Sequence, residues 1–367
     1  MDTKKKLPSS KKILKALLFP FLWPLSLLYG GVLLLRNKFF DWGWLKSMQY
    51  PLPVISIGNI TVGGTGKTPL TEFVIRLLKP EYSIALLSRG YKRQTKGVII
   101  AAPKSTAEEI GDEPKQILSK FPEISVAVAE RRTEGIERLI NYCNPNTIVM
   151  DDAYQHRYVK PGFSILIIDY YRPLWKDFPF PAGYLREPRS GKKRADVIVV
   201  NKCPVNLSQD EKEAIEKKIK PHSGQHLFFT SIEYLKPVSF TEDDNSLDSD
   251  TTVLALAGIS HPKTFIEYIS QTYGNVYPLI FPDHHPYSQS EKDYNLFKDK
   301  FEKIPNDKKA IITTEKDMIR LRNIPWLDDN IKPYLWYIPI KLSFLFNEEK
   351  MFNQLIKSYV EKDKRDR

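Results

Sequence analysis

Glycine, lysine and threonine residues cluster in a short loop that could hold the phosphates of a nucleotide. The six candidate binding residues are consecutive: Gly63, Gly64, Thr65, Gly66, Lys67 and Thr68. In such a loop several backbone N–H groups point inward, and the N-terminus of a following helix adds its dipole. The Lys67 ammonium can reach the β- and γ-phosphates, and the Thr68 hydroxyl can ligate Mg²⁺. The loop therefore predicts binding of a nucleoside triphosphate with Mg²⁺.

The segments on either side of this phosphate loop have the pattern that such a site requires. Residues 54–57 form an apolar run typical of a strand, and residues 70–78 place their apolar side chains on one helical face. The general pattern GxxxxGK[ST] has a glycine at position 61, where this chain has Thr61. The alternative is a glycine-rich turn without nucleotide. Gly-Lys-Thr directly after an apolar strand favours nucleotide binding over that alternative.

Two consecutive carboxylates follow another apolar run, at residues 148–150. A phosphate-loop enzyme needs a carboxylate at the end of a second strand to help hold Mg²⁺, and Asp151 and Asp152 meet this need. Adjacent carboxylates repel each other unless a cation or a donor lies between them. Together with Thr68 they are the candidate metal ligands. The alternative for the pair is a solvated turn or a helix cap.

Acid–base chemistry has candidates in two further segments. Asp112 lies at a predicted helix start, where a helix cap explains it as well as a catalytic role does. Residues 281–286 place His284 and His285 next to Asp283 in a loop bounded by prolines. Histidine can transfer protons near neutral pH, and a neighbouring acid can fix its tautomer. A metal site is disfavoured here, because adjacent histidines rarely bind one ion together.

Basic and aromatic side chains follow several predicted strand ends and could contact an anionic substrate. Arginine forks suit phosphate groups, although a single basic residue is more often a solvated surface charge. Their joint position after strand ends favours a binding role. The candidate substrate residues are Arg89, Tyr91, His156, Arg157 and Arg186.

Apolar runs alternate with helical stretches from residue 53 onward and predict the elements that hold these residues. The runs lie at 54–57, 84–87, 98–101, 126–129, 148–150, 165–168 and 197–200. Strands this apolar are typical of a mainly parallel sheet that helices cover on both faces. A second α/β unit begins near residue 253, after an acidic and polar segment. We therefore expect an α/β fold with a P-loop NTPase-like sheet and a second, smaller α/β domain.

The composition along the chain predicts four regions. Residues 1–47 are expected to be a membrane-associated apolar helix with an aromatic anchor, and residues 48–238 the phosphate-loop core. Residues 239–345 are expected to form the smaller α/β domain. Residues 346–367 are expected to be a C-terminal helix with a charged tail.

The first of these regions combines apolar and basic residues. Residues 16–35 carry no charge, a stretch long enough to cross a bilayer. Pro20, Pro24, Gly30 and Gly31 are expected to interrupt the helix, which favours a broken apolar helix lying in the membrane surface. A true span and a buried core helix stay open as alternatives. Residues 1–50 carry +7 of the formal charge of +11, which favours attraction to anionic lipid over binding of nucleic acid.

Chain length and cysteine content exclude other classes of protein. With 367 residues and 42% apolar content, the chain can bury a core in each of two domains. Cys143 and Cys203 lie far apart and form no CxxC pair. A disulfide framework and a structural zinc site are therefore disfavoured, and a reducing compartment is expected. No obligatory protein partner is evident from the sequence.

Taken together, the motifs resemble the tetraacyldisaccharide 4′-kinase family of lipid A biosynthesis. The matching segments, in the family's order, are 58–59 with 63–69, 87–91, 111–114, 151–157, 181–188 and 283–284. They cover most of the chain, and the family's loop also lacks the glycine that Thr61 replaces. The resemblance implies ATP- and Mg²⁺-dependent phosphorylation of the 4′-hydroxyl of a tetraacyl glucosamine disaccharide 1-phosphate. It also implies a place on the cytoplasmic face of a bacterial inner membrane.

The resemblance further implies roles for individual residues on the nucleotide side. Lys67 and Thr68 match the residues that bind phosphate and Mg²⁺ in the family. Asp151 and Asp152 match its acidic pair at the metal.

On the acceptor side, Asp112 and His284 match the acid and the histidine that activate the sugar hydroxyl in the family. The catalytic set is therefore expected to be Asp112, His284 and Lys67. Whether His284 or His285 is the equivalent residue stays open. We prefer His284 because it directly follows Asp283.

A membrane-tethered nucleotide switch, or an ATPase that binds a partner, is the alternative from another class. It explains the phosphate loop and the apolar helix. It gives no role to Asp112, to His284 or to the arginine loops, and the kinase is favoured for that reason.

Overall fold

The computed structural model describes residues 10–241, 246–283, 285, 287, 291–322, 324 and 327–365. The strands are β1 (Val54–Gly58), β2 (Ile84–Ser88), β3 (Ile99–Ile100), β4 (Ser125–Val128), β5 (Thr147–Asp151), β6 (Phe163–Asp169), β7 (Val197–Asn201), β8 (His226–Tyr234), β9 (Val238–Ser239), β10 (Thr252–Ala257), β11 (Asn275–Ile280), β12 (Lys309–Thr314), β13 (Leu335–Ile338) and β14 (Ile340–Phe344). The helices are α1 (Ser10–Asp41), α2 (Lys67–Leu78), α3 (Ala107–Ile110), α4 (Asp112–Lys120), α5 (Arg132–Cys143), α6 (Gln209–Ile219), α7 (Pro262–Thr272), α8 (Glu291–Glu302), α9 (Glu315–Arg322) and α10 (Glu349–Arg365).

Nine strands form a large sheet in the order β14-β8-β7-β6-β1-β5-β2-β4-β3. The central strand β1 pairs in parallel with β5 on one side and β6 on the other. Antiparallel pairs lie at the two edges, where β3 meets β4 and β14 meets β8. Strands β1, β5, β6 and β7 are buried along their whole length, as expected when helices cover both faces. The prediction of a mainly parallel, P-loop NTPase-like sheet is confirmed.

Five strands form a second sheet in the order β11-β10-β12-β13-β9. Strand β10 pairs in parallel with β11 and β12, and β12 pairs in parallel with β13. A core of its own lies against this sheet and includes Leu256, Phe297 and Leu335, each at most 1% exposed. The predicted second, smaller α/β unit is therefore present.

The chain crosses between the two sheets twice. Strand β9 pairs with β13 in the small sheet, whereas β14 pairs with β8 in the large one. Residues 340–344 therefore lie in the large sheet, although the sequence had assigned them to the region 239–345. Helix α10 also returns to the large core, where Phe352, Ile356 and Val360 are buried.

Helix α1 is continuous over 32 residues and contains Pro20 and Pro24. The expected interruption of this helix is wrong. Both prolines are exposed and lie four residues apart, so their missing N–H groups fall on one side of the helix. The hydrogen bonds on the other side of the helix are unaffected, and they keep its course continuous.

One side of α1 lies on the loop 177–186. The Phe19 ring meets the Phe178 ring edge-on at 5.5 Å, and Ser26 Oγ accepts a hydrogen bond of 2.8 Å from the Ala182 N–H. The other side presents large apolar residues to the surroundings, spaced alternately by four and three. These residues are Phe21, Leu25, Leu28, Val32 and Leu35. By length and composition, Leu18–Asp41 could cross a membrane.

Candidate active site

The phosphate loop joins β1 at the centre of the large sheet to the first turn of α2. Gly63 and Gly66 have φ of +100° and +92°, a region that side chains other than glycine rarely adopt. A Cβ on Gly66 would also lie 2.0 Å from Asn201 Nδ2. Helix α2 begins at Lys67 and buries Leu70, Val74 and other apolar residues against the core. The loop's backbone course is therefore set by its glycines and by its neighbours.

Side chains from outside the loop hold its backbone. Asn59 Nδ2 donates to Thr65 Oγ1 at 2.8 Å, and Asn201 Nδ2 donates to the Thr65 carbonyl at 3.0 Å. The Lys202 ammonium donates to the Gly64 carbonyl. Asn201 is the last residue of β7, two strands from β1, and Lys202 follows it. The candidate list drawn from the sequence did not include them. Their position at the end of an apolar run was the available signal.

Lys67 lies inside the site and has an acidic partner. Its ammonium is 3.4 Å from Asp152 Oδ1, and the residue is 9% exposed. Arg186 Nη1 also reaches both oxygens of Asp152, each at 3.0 Å. Burial opposes ionisation of Asp152, but Lys67 and Arg186 outweigh it and lower its pKa to about 2. Asp152 is therefore a carboxylate throughout the physiological pH range.

The neighbouring acid, Asp151, behaves in the opposite way. It is 1% exposed at the end of β5, and Thr71 Oγ1 donates to its Oδ1 at 3.1 Å. Its Oδ2 has no hydrogen-bond partner among the residues that the structure describes. Burial, then Glu113 and Asp152, raise the pKa of Asp151 to about 7. A cation near this oxygen would stabilise the ionised carboxylate and so lower the pKa of Asp151.

Glu113 is a third acid at this place, and the list of candidate residues drawn from the sequence missed it. Its Oε1 forms an ion pair with the Lys316 ammonium of the small domain, 3.1 Å away. Burial opposes ionisation, but Lys316 and then Lys67 lower the pKa of Glu113. The signal for Glu113 was its position next to Asp112 in a matching motif.

Asp112 is the first residue of α4, and the N-cap of that helix is Gly111. Its Oδ2 accepts a 2.8 Å charged hydrogen bond from Arg320 Nε on α9. The side chain therefore serves a contact with the small domain, which the helix-cap alternative does not explain.

Of the two candidate histidines, His284 lies outside the described residues. His285 is half-buried and stacks on Phe281, with ring centroids 4.5 Å apart, and it meets the Tyr287 ring edge-on at 4.9 Å. This packing holds His285 against two aromatic side chains of the small domain.

The candidate substrate residues lie in different surroundings. Arg89 and Tyr91 are exposed and line a cavity of about 380 Å³. Arg186 binds Asp152, as described above. His156 is half-buried, and burial followed by Arg132 and Arg89 lowers its pKa to about 4.

Arg157 has a different environment from the other four. Its guanidinium donates to the Asn37 carbonyl at 2.7 Å and to Asp41 Oδ1 at 2.8 Å. It also lies over the Phe40 ring at 5.0 Å. These three partners lie at the end of α1, so Arg157 fastens that helix to the core.

Comparison with known proteins gives a consistent result. A family model described as tetraacyldisaccharide-1-P 4′-kinase matches residues 18–361. A tetraacyldisaccharide 4′-kinase from Phocaeicola vulgatus is 44% identical over 354 residues, which cover 94% of this chain and 96% of that protein. One from Flavobacterium johnsoniae is 43% identical over 357 residues, covering 96% and 98%.

A solved structure also matches over nearly the whole chain. It is LpxK from Aquifex aeolicus in complex with ATP, with a TM-score of 0.71 and 28% sequence identity. The match covers 95% of this chain and 99% of that one.

Proposed function

This chain belongs to the tetraacyldisaccharide-1-P 4′-kinase family, and we propose that it uses ATP to phosphorylate the 4′-hydroxyl of a tetraacyl glucosamine disaccharide 1-phosphate. This reaction is a step of lipid A biosynthesis. Family membership makes the chain a kinase and favours this function over the nucleotide switch. The observation that carries the proposal is the Lys67–Asp152 pair, 3.4 Å apart, because it joins the phosphate loop to the acidic strand end.

The nucleotide half of the site would hold the triphosphate. Backbone N–H groups of residues 63–68 and the N-terminus of α2 suit the phosphates. Lys67 would turn from Asp152 to the β- and γ-phosphates and stabilise the charge on the transferring group. Arg186 would keep Asp152 ionised and in place during that change.

The acidic residues fit a Mg²⁺ ion, which coordinates oxygen atoms and needs few protein ligands. Asp151, Asp152 and Thr68 would hold it. The buried Oδ2 of Asp151, which has no hydrogen-bond partner in the described part of the chain, supports this assignment. Bound Mg²⁺ would neutralise charge on the phosphates.

The acceptor half would orient and deprotonate the sugar hydroxyl. We assign this role to Asp112 with His284, as the family resemblance implies. Asp112 lies on the core, whereas Phe281 and Tyr287, which flank His284 in the sequence, belong to the small domain. The acceptor half would therefore require both domains. Closure of such a site also keeps water from the phosphoryl group.

The substrate would approach along a membrane surface. The apolar face of α1, formed by Phe21, Leu25, Leu28, Val32 and Leu35, supports binding to the bilayer. The basic residues of the N-terminal region support attraction to anionic lipid on the cytoplasmic face of the inner membrane.

Replacing Leu25, Leu28 and Val32 by glutamate tests the membrane proposal. The expected result is loss of sedimentation with vesicles that contain anionic lipid, since charged groups do not enter the apolar region. A variant that sediments as the wild type does would contradict the proposed role of α1. Glutamate in place of exposed Val205, far from α1 in the sequence, is the matched control.

Transfer of labelled phosphate from ATP into the lipid disaccharide tests the function itself. The wild type should label the lipid, and Lys67→Ala should lower kcat/KM by about 10³-fold or more. Lys79→Ala, at the other end of α2 and ion-paired with Glu123 on the surface, is the control and should keep its activity. Label released as free phosphate, with none in the lipid, would favour the nucleotide switch instead.

A further inference from the structure

Helices α4 and α9 bring the two domains together through charged side chains; we call this region the α4–α9 contact. Lys316 of α9 binds Glu113 of α4 at 3.1 Å. Lys120 of α4 binds Glu315 of α9 at 2.6 Å and also reaches Glu72 of α2 at 2.6 Å. The contact therefore carries a series of ion pairs between the core and the small domain.

Arg320 stands out in this series because its partner is Asp112. Its Nε donates to Asp112 Oδ2 at 2.8 Å, and its side chain is 6% exposed. Its Nη1 donates to Asp317 Oδ1 at 2.9 Å and to the Gly258 carbonyl at 3.2 Å. One planar guanidinium thus joins a residue of the core to two residues of the small domain.

Asp317 extends this arrangement to the loops of the small domain that face the site. Its Oδ2 accepts hydrogen bonds from the Gly258 N–H at 2.9 Å and from Thr314 Oγ1 at 2.7 Å. The Tyr287 hydroxyl donates to its Oδ1 at 3.4 Å. Asp317 is fully buried, so these bonds are shielded from water.

The two loops bound by Asp317 belong to different parts of the proposed site. Gly258 begins the loop 258–261, in which Ser260 Oγ lies 2.5 Å from the position that a Cβ on Gly64 would occupy. Tyr287 meets the His285 ring edge-on at 4.9 Å, so it lies beside one of the two candidate histidines. Arg320 and Asp317 therefore connect Asp112 to the loop 258–261, which lies beside the phosphate loop, and to Tyr287, which lies beside His285.

We propose that Arg320 is a positioning residue, which fixes the Asp112 carboxylate relative to the two small-domain loops that complete the acceptor half. This inference rests on the proposed function, since it assumes that Asp112 activates the sugar hydroxyl. Arginine suits the task because its rigid fork can bind two carboxylates and a carbonyl at once, whereas a lysine ammonium is a single point charge on a flexible chain.

Replacing Arg320 by methionine should affect the chemical step more than nucleotide binding. A base that is misplaced by about 1 Å slows transfer, so kcat should fall about 10- to 100-fold while KM for ATP changes less than about twofold. Arg320→Lys keeps the charge and should recover part of kcat. Arg322→Met, on the same helix and with its guanidinium over the Phe240 ring at 5.6 Å, is the matched control and should keep wild-type kcat.

The deciding experiment combines Arg320→Met with Asp112→Ala and measures transfer into the disaccharide. If Arg320 acts through Asp112, the double variant should be as slow as Asp112→Ala alone, within about twofold. An equal further loss in the double variant would show that Arg320 acts elsewhere, and the inference would be overturned. ATP affinity and the thermal transition of each variant are measured on the same preparations, so that a misfolded variant is recognised. If Arg320→Met is misfolded, Arg320→Lys replaces it in the comparison.

This design separates the inference from the proposed function. A slow Asp112→Ala variant beside a fully active Arg320→Met variant would overturn the role of Arg320 alone. A fully active Asp112→Ala variant would overturn the assigned role of Asp112, and the positioning role with it. A wild type that transfers no phosphate to the disaccharide would overturn the proposed function.

Discussion

The phosphate loop and the α4–α9 contact are both parts of the proposed site, but different forces hold them in place. In the loop, glycines with positive φ and hydrogen bonds from Asn59 and Asn201 fix the backbone within one sheet. In the α4–α9 contact, charged pairs join residues such as Asp112 and Arg320, 208 positions apart in sequence. Contacts within the core hold the first region, and the second depends on where the small domain lies.

This difference teaches how the two halves of the reaction can be controlled separately. Under the proposed function, the phosphate loop would bind nucleotide without waiting for the second domain. The acceptor half would be complete only when the small domain is docked, so that the phosphoryl group would meet an activated hydroxyl and little water. The predictions below test whether the two regions respond to substitution in these distinct ways.

Asp151→Asn should have the largest effect, because it removes a carboxylate that we propose as a Mg²⁺ ligand. We expect kcat to fall about 10²- to 10³-fold and the Mg²⁺ requirement to rise. Initial rates of transfer measured over a series of MgCl₂ concentrations give both quantities. Asp299→Asn is the control, because Asp299 lies on α8 and forms an exposed ion pair with Lys303. An unchanged Mg²⁺ dependence in Asp151→Asn would contradict the assignment of this residue to the metal.

Gly66→Ala should have an intermediate effect, since it disturbs the backbone of the preformed region. The substitution forces a Cβ onto a residue with φ of +92° and into contact with Asn201, at a cost of about 1–3 kcal/mol. The strained loop should relax away from its binding conformation, and ATP must then restore that conformation. ATP affinity should therefore fall about 5- to 150-fold, since 1.4 kcal/mol corresponds to a factor of ten. Nucleotide titration and denaturant unfolding measure the two effects.

The matched control for this variant is Gly224→Ala. Gly224 has φ of +82°, but a Cβ there would meet nothing within 4 Å. It should lose some stability and no ATP affinity. If both variants bound ATP equally well, the close contact with Asn201 would not define the loop.

Glu315→Gln should have the smallest effect and should be visible as a change in the pH dependence of stability. Burial, then Glu72, raise the pKa of Glu315 from 4.5 to about 7, with Lys120 opposing. The folded protein therefore keeps a proton that the unfolded chain releases above pH 4.5. The stability linked to that proton is present at low pH and is lost as the pH rises through about 7.

The variant lacks this titration, so the wild type should lose about 1–2 kcal/mol more than Glu315→Gln between pH 5 and pH 7.5. Denaturant unfolding at several pH values measures the difference. Glu302→Gln, an exposed residue on α8, should follow the wild type. Parallel curves for the wild type and Glu315→Gln would show that folding does not raise the pKa of Glu315.

The same contrast explains which parts of the molecule could be predicted from the sequence. The phosphate loop, its flanking strand and helix, and Asp151 at a strand end are local patterns, and their positions in the sequence determine the structure nearby. The mainly parallel sheet followed from apolar runs of strand length. The pairing of Asp112 with Arg320 depends on tertiary structure, because no local pattern relates residues of two domains.

Two other features were beyond the reach of sequence patterns for physical reasons. Helix α1 continues through Pro20 and Pro24, because a helix that loses hydrogen bonds on one side can be held by those on the other. Arg157 stays a candidate substrate residue, and its contacts with the end of α1 could not be foreseen from its motif. In both cases the packing of another element determines a feature that the local sequence leaves open.

The most direct test of the account is to measure MgATP affinity and phosphate transfer on the same preparations of Lys67→Ala and Asp112→Ala. We predict that Asp112→Ala binds MgATP within about twofold of the wild type while transfer falls about 10²-fold or more. Lys67→Ala should lose both. If Asp112→Ala lost as much MgATP affinity as Lys67→Ala, the division into a preformed nucleotide half and a domain-dependent acceptor half would be contradicted.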